Sequence, residues 1–276
     1  MNFSYLDMAG ERIRVASHGG DGVPLVICNE IGANIELLTP LLDALGDTPW
    51  MVFDAPGAGE STAHRARLRM GAYARLLARL VDTLGYTGEL DYMGIGWGGL
   101  LVQCYVLDQP QRVRRLVLAG TSAGQVMLPG RFKSLIQLGW RGRFRSADDF
   151  ARTAHRTYGG LSRYEPDRVR ANAVRVKMPS RRGYSMQLAA AAGPGSVFSL
   201  HRINRPTMIL AGDDDPIVPM VNARILQALI PQSRLVRLAG AGHLFPVTRA
   251  AETARAVQNF CRRKNIRDEL AAKDFV

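Results

Sequence analysis

The chain lacks any apolar run of the roughly 18 residues a spanning helix needs, so its sequence offers no transmembrane segment. Cysteine is scarce: Cys28, Cys104 and Cys261 have no paired spacing, which excludes a disulfide framework and a cysteine-based metal site and leaves reduced structural thiols. Cys28 lies at the end of a strand aimed at the candidate site, yet its flanks Ile27 and Asn29 supply no activating base. Met1 to Asp7 shows neither a basic leader nor an apolar core, so the sequence reads as that of a cytoplasmic protein. Acidic residues are few: 24 against 36 Lys and Arg leave a net charge of +12. Aromatic residues are also few, at 7%, and do not interleave with the basic ones, so no nucleic-acid partner is expected.

What is present begins with the placing of that charge. Between Thr121 and Leu200 stand fourteen basic residues (Arg131, Lys133, Arg141, Arg143, Arg145, Arg152, Arg156, Arg163, Arg168, Arg170, Arg175, Lys177, Arg181, Arg182) and four acidic ones (Asp148, Asp149, Glu165, Asp167). The segment therefore carries most of the excess. Such a field suits nucleic acid, anionic lipid, an acidic carrier protein or the phosphates of coenzyme A, and equally a solvated arginine-rich lid.

Hydrophobic periodicity alternates between strand and helix. Phe3 to Leu6 and Arg12 to Ala16 read as a hairpin, Pro24 to Cys28 and Trp50 to Asp54 as buried strands, Ile35 to Leu45 and Tyr73 to Leu84 as helices. A strand over Glu89 to Met93, a helix over Leu100 to Leu107 and a strand over Val113 to Ala119 follow. After Leu200 come a strand at Thr207 to Ala211, a helix at Val221 to Ile230, a strand at Arg234 to Leu238 and a closing helix from Arg249 to Arg263. This order predicts an α/β fold, a mainly parallel central sheet with helices on both faces. Residues 121–200 break the rhythm and read as an inserted helical lid, with 1–120 and 201–276 forming the core.

One further absence is local. In Gly94-Ile95-Gly96-Trp97-Gly98-Gly99, placed between a strand and a helix, glycine stands where the G-x-S-x-G nucleophile elbow carries serine. The central residue of such a turn is forced toward positive φ, so Gly96 keeps the geometry and deletes the hydroxyl. Downstream, the strand ending at Ala211 runs into Gly212-Asp213-Asp214-Asp215-Pro216, any of whose acids can orient an imidazole or cap the turn. His243 follows in Gly240-Ala241-Gly242-His243-Leu244-Phe245, a loop at a strand's C-terminal end, where open α/β sheets place their sites. His18, His64, His155 and His201 lack that setting.

These residues, with Ile31-Gly32-Ala33-Asn34, Phe53-Asp54-Ala55-Pro56-Gly57, the run from Thr121 to Gly130 and Tyr158-Gly159-Gly160, resemble the α/β-hydrolases. Within that fold the chain resembles the intracellular poly(3-hydroxyalkanoate) depolymerases of bacteria that store medium-chain polyesters, across almost its whole length. The resemblance implies the α/β-hydrolase fold and hydrolysis of 3-hydroxyacyl esters through a serine acyl-enzyme, with Asp215 and His243 as the partners of the nucleophile. It also implies oxyanion-hole N–H groups at Ile31 and Trp97. The family serine falls at Gly96, and a family glycine in the oxyanion loop falls at Glu30. A carboxylate beside a developing oxyanion repels it unless protonated or turned away, and a solvent-facing Glu30 fits the sequence equally well.

The reading that follows is an enzyme acting on a small acyl or carbonyl substrate, 3-hydroxyacyl-like or polyketide-like, free or held on a carrier protein or coenzyme A. An Asp215–His243 dyad, with Glu30 as a second acid/base group, suits a lyase, dehydratase, cyclase, isomerase or water-attack hydrolase. The alternatives are an esterase whose serine was replaced at Gly96 and a non-catalytic protein that binds an acyl ligand or a polyester granule. No cofactor and no metal site are expected.

Overall fold

The computed structural model describes residues 1–8, 10–124, 128–139, 147–160, 171, 177, 179–193 and 195–263. Eight strands form one sheet: β1 (Asn2–Asp7), β2 (Arg12–His18), β3 (Leu25–Cys28), β4 (Trp50–Phe53), β5 (Leu90–Ile95), β6 (Val113–Ala119), β7 (Thr207–Gly212) and β8 (Ser233–Leu238). Their spatial order is β1-β2-β4-β3-β5-β6-β7-β8. β1 pairs antiparallel with β2, and β2 with β4, whereas every pair from β4 to β8 is parallel. The sheet is thus mainly parallel with an antiparallel edge.

The helices are α1 (Thr39–Ala44), α2 (Met70–Thr83), α3 (Trp97–Asp108), α4 (Phe132–Gly139), α5 (Ala147–Tyr158), α6 (Arg181–Ala191), α7 (Met220–Leu229), α8 (Phe245–Thr248) and α9 (Ala250–Arg262). Alternate side chains of each central strand feed opposite faces, as the two-residue strand period requires. Val26, Cys28, Tyr92, Leu116 and Leu118 join α2 and α3 in one buried cluster. Leu25, Ile27, Met93, Val117 and Ala119 join α1 and α9 in the other. Both faces are covered, which is why these strands read as continuous apolar runs.

One expected helix is divided. Ile35 to Leu45 is a 3-10 turn at Ile35–Leu38 followed by α1, whose first turn holds Pro40. Proline has no N–H to continue a preceding helix, so a new one starts there. The closing helix expected from Arg249 to Arg263 is α9, and the short α8, with Pro246 in its first turn, is a separate element before it; Arg249 between them leaves helical geometry at φ −124° and ψ 45°.

Between β6 and β7 the described chain contributes α4, α5 and α6. Of the residues singled out above in that stretch, Gln125, Val126, Met127, Arg141, Arg143, Arg145, Arg163, Glu165, Asp167, Arg168, Arg170 and Arg175 lie outside the described residues.

Candidate active site

Parallel strands deliver the candidate residues to one edge of the sheet. β3 and β5 are neighbours with Cys28 opposite Gly94, so the residues just beyond them, Glu30 and Gly96, emerge side by side. β7 runs out into Asp213 to Asp215, and β8, its neighbour, leads to His243. All four positions lie beyond strand C-termini.

The elbow is built as its glycines require. Gly96 has φ 49° and ψ −109°, a left-handed conformation that side chains adopt only under strain. Its N–H donates to the Ala119 carbonyl at 2.9 Å, and its own carbonyl accepts from Thr121 Oγ1 at 2.7 Å. A Cβ at Gly98 would overlap the Cys28 carbonyl, so glycine there lets α3 press against β3. α3 is buried nearly all round, from Trp97 to Val106.

Glu30 faces the candidate site and not solvent. Its side chain is 13% exposed and turned into the elbow. Oε1 accepts hydrogen bonds from the Ile31 N–H at 2.6 Å and the Trp97 N–H at 3.2 Å, the pair of donors assigned to an oxyanion. Oε2 lies 2.9 Å from His243 Nε2. A Cβ built on Gly96 would fall within covalent-bond distance of Oε2. The carboxylate therefore fills the volume in which a side chain at position 96 would begin.

His243 is 3% exposed. Its Nδ1 is 2.7 Å from Asp215 Oδ2, while Asp215 Oδ1 accepts the N–H groups of Ile217 and Val218 at 2.8 and 2.9 Å. The neighbouring acids are engaged elsewhere: Asp213 accepts from Gly240 N–H and Arg237, and Asp214 from Gly160 N–H. The structure thus brings Asp215, and not its neighbours, against the imidazole.

Each ring nitrogen of His243 faces a carboxylate oxygen, an arrangement fully satisfied only when both carry protons. Burial disfavours the charged ring, but Asp215 and Glu30 outweigh it and push its pKa up to about 10. Burial likewise works against the Glu30 carboxylate. The hydrogen bond and charge of His243, with the Ile31 and Trp97 N–H groups, hold it below the usual glutamate range all the same. At neutral pH the site holds an imidazolium between Asp215 and the Glu30 carboxylate. Its histidine is loaded to give a proton, and the oxygen nearest that proton belongs to Glu30.

Two supporting residues had no distinct role in the sequence. Gln187 on α6 is fully buried; its Oε1 accepts Gly32 N–H at 2.8 Å, its Nε2 donates to the Pro56 carbonyl at 3.1 Å, and its carbonyl accepts the Trp97 indole N–H at 2.9 Å. A single glutamine between Met186 and Leu188 gives no signal of such a bridge. Tyr158 accepts His243 N–H on its carbonyl at 2.7 Å, and its ring lies parallel to the imidazole, centroids 6.4 Å apart. Cys28, by contrast, is fully buried, and burial alone raises its thiol pKa far above the usual value. Among the described residues no cluster of His, Cys, Asp and Glu could hold a metal ion.

Comparison with known proteins places this geometry. Residues 23–250 match the family described as alpha/beta hydrolase fold. The chain is 38% identical over 268 residues to a poly(3-hydroxyalkanoate) depolymerase of Ectopseudomonas oleovorans, covering 96% of this chain and 94% of that one. It is 27% identical over 268 residues to the polyketide synthase ThaQ of Burkholderia thailandensis, covering 94% of this chain but 13% of that much longer protein. Among solved structures, a hydrolase from Pseudomonas aeruginosa PA01 superposes with a TM-score of 0.78 at 25% identity, over 95% of this chain and 99% of that one. On sequence and structure together, the chain belongs to the alpha/beta hydrolase fold family.

Proposed function

We propose that this protein is an enzyme acting on an acyl or carbonyl compound, 3-hydroxyacyl-like or polyketide-like, without a serine acyl-enzyme. Glu30, His243 and Asp215 carry its reactive chemistry. The observation that supports this most is the position of the Glu30 carboxylate: it takes the space of the missing serine side chain and meets His243 Nε2 at 2.9 Å. A site that had merely lost its serine would leave that space to solvent. Here a second residue, one strand away, fills it and completes the chain of hydrogen bonds to Asp215.

In this reading His243 gives the proton and Asp215 holds the ring in place and balances its charge. Glu30 is the negative partner at the reacting atom. The described part of residues 121–200 acts as a lid, from which Gln187 positions the loop carrying Glu30 and Ile31. The excess of basic residues in that segment of sequence serves a substrate borne on coenzyme A or on an acidic carrier protein. The relatives' names agree on acyl chemistry: a polyester depolymerase and a polyketide synthase.

The test uses 3-hydroxyoctanoyl N-acetylcysteamine thioester and p-nitrophenyl butyrate as probes, with products followed by mass spectrometry. Glu30→Gln and His243→Ala are each expected to lower turnover about 10²-fold or more, the usual worth of a positioned acid/base group. Unchanged turnover in both variants overturns the reading. Gly96→Ser alone is expected to leave ester hydrolysis low, because the new side chain collides with Glu30. The pair Gly96→Ser with Glu30→Gly clears the hole and is expected to hydrolyse the p-nitrophenyl ester at least tenfold faster than either single variant.

A further inference from the structure

The two N–H groups that ordinarily stabilise a substrate oxyanion already hold an oxygen of the protein itself. This constrains the reaction in two ways. A substrate carbonyl entering the site finds no donor pair, so charge accumulating on its oxygen goes unstabilised. A tetrahedral centre formed at Glu30 Cδ, in contrast, develops its negative charge on Oε1, where both donors already point. The other oxygen, Oε2, sits where the elbow presents its side chain and has the His243 proton beside it. The same donors and the same histidine are thus arranged around Glu30 as a serine hydrolase arranges them around its acylated substrate.

We propose that Glu30 is a nucleophile that attacks a saturated electrophilic carbon of the substrate, an epoxide carbon being the class that fits, through a covalent glutamyl ester. This rests on the reading of Glu30, His243 and Asp215 as the reactive group. In the first step Oε2 forms a bond to the epoxide carbon, the C–O bond of the ring breaks, and its electron pair stays on the ring oxygen. That oxygen takes the proton of His243 Nε2. In the second step the now neutral His243 takes a proton from water, and the hydroxide adds to Glu30 Cδ. The charge rests on Oε1 against Ile31 and Trp97. Collapse breaks the bond between Cδ and Oε2, and Oε2 departs with the substrate as its second hydroxyl, reprotonated by His243. Glu30 is left as the acid carrying one oxygen from water, and passes its proton to His243, which restores the carboxylate and the imidazolium. The product is a diol, and no oxidant or reductant is consumed.

The oxygen bookkeeping makes the proposal testable with the unaltered protein. Enzyme in excess over ethyl 2,3-epoxybutanoate is allowed one turnover in heavy-oxygen water, and the diol and the peptide bearing Glu30 are weighed. The expected result is a first-turnover diol free of the heavy isotope and one heavy oxygen in the Glu30 peptide. Glu30→Gln is expected to slow this turnover about 10²-fold or more. Heavy oxygen in the first-turnover diol means that water attacks the substrate directly. That overturns the nucleophile while leaving Glu30, His243 and Asp215 as a proton-handling group. An inert epoxide also overturns it, and if the acyl probes are turned over with dependence on Glu30 and His243, the broader reading stands. Only indifference of every probe to both substitutions defeats the two together.

Discussion

At the scale of single residues, the absence of one side chain and the presence of another are a single event. Gly96 has room for no Cβ because Glu30 Oε2 is already there, and Glu30 reaches the N–H pair only because position 96 is empty. Substitutions at the two positions should therefore be strongly non-additive. Gly96→Ala introduces both a left-handed alanine, costing about 1–2 kcal/mol, and a collision that expels the carboxylate. Adding Glu30→Gly removes the collision. A double-mutant cycle followed by urea denaturation is expected to show the pair more stable than Gly96→Ala alone; equal stability would mean that the side chains do not share the space. The pH profile of turnover belongs to this scale too. A histidine with a pKa of about 10 and a glutamate below its usual range predict a flat profile through neutrality, falling only as pH rises through about 10 or drops into the acid range. A limb near pH 6.5, as an unpaired histidine gives, would argue against an imidazolium held between Asp215 and Glu30.

At the scale of elements, the loop after β3 is held from three sides. Asn29 Nδ2 donates to the Asn34 carbonyl and Asn29 Oδ1 accepts Glu30 N–H, closing the loop on itself. Asp54, beyond β4, accepts Ile35 N–H at 2.8 Å. Gln187 reaches down from α6 to Gly32. Gln187→Ala leaves the Gly32 N–H buried without its acceptor, a loss of about 1–3 kcal/mol. Faster hydrogen exchange at Gly32 with α6 still folded is the expected signature. The elbow itself was readable in the sequence, because Gly94 and Gly96 meet local demands of one strand, one turn and the helix that follows, although Gly98 answers to the Cys28 carbonyl on β3. Gln187 was not readable, since its partners Gly32 and Pro56 are more than a hundred residues away. The division of Ile35 to Leu45 could have been anticipated from Pro40, whose missing N–H is a local fact.

At the scale of the whole molecule, buried ionisable groups couple the site to stability. Asp54 is raised from 3.8 to about 6, chiefly by burial, with hydrogen bonds from the Glu60 and Ile35 N–H groups and the charge of Arg14 opposing it. His243 is raised from 6.5 to about 10. A group whose folded pKa lies above its unfolded one binds its proton more tightly when folded, so its contribution is complete below the unfolded value and is lost above the folded one. Stability is therefore expected to decline from about pH 4 to 6 on account of Asp54, and from about pH 6.5 to 10 on account of His243. Glu30 acts in the opposite sense: its contribution is present above the ordinary glutamate pKa and disappears as pH falls through its lowered one. Urea denaturation across this range checks the signs. In His243→Gln the alkaline decline should vanish while the Asp54 step remains.

The sequence by itself determined the alternation of strands and helices, the sheet's covered faces and the elbow without its serine, because each depends on periodicity or on a turn only a few residues long. It also set out Asp213, Asp214 and Asp215 as candidates and His243 as their partner. The family resemblance pointed to Asp215 among them, but only the tertiary structure sets that carboxylate against the ring, because the contact depends on what the adjacent ends of β7 and β8 aim at the imidazole. Only the tertiary structure, too, gave Glu30 its place. Whether a carboxylate faces solvent or fills an oxyanion hole is decided by the parallel pairing of β3 with β5, which sets Glu30 and Gly96 side by side across 65 residues of intervening chain.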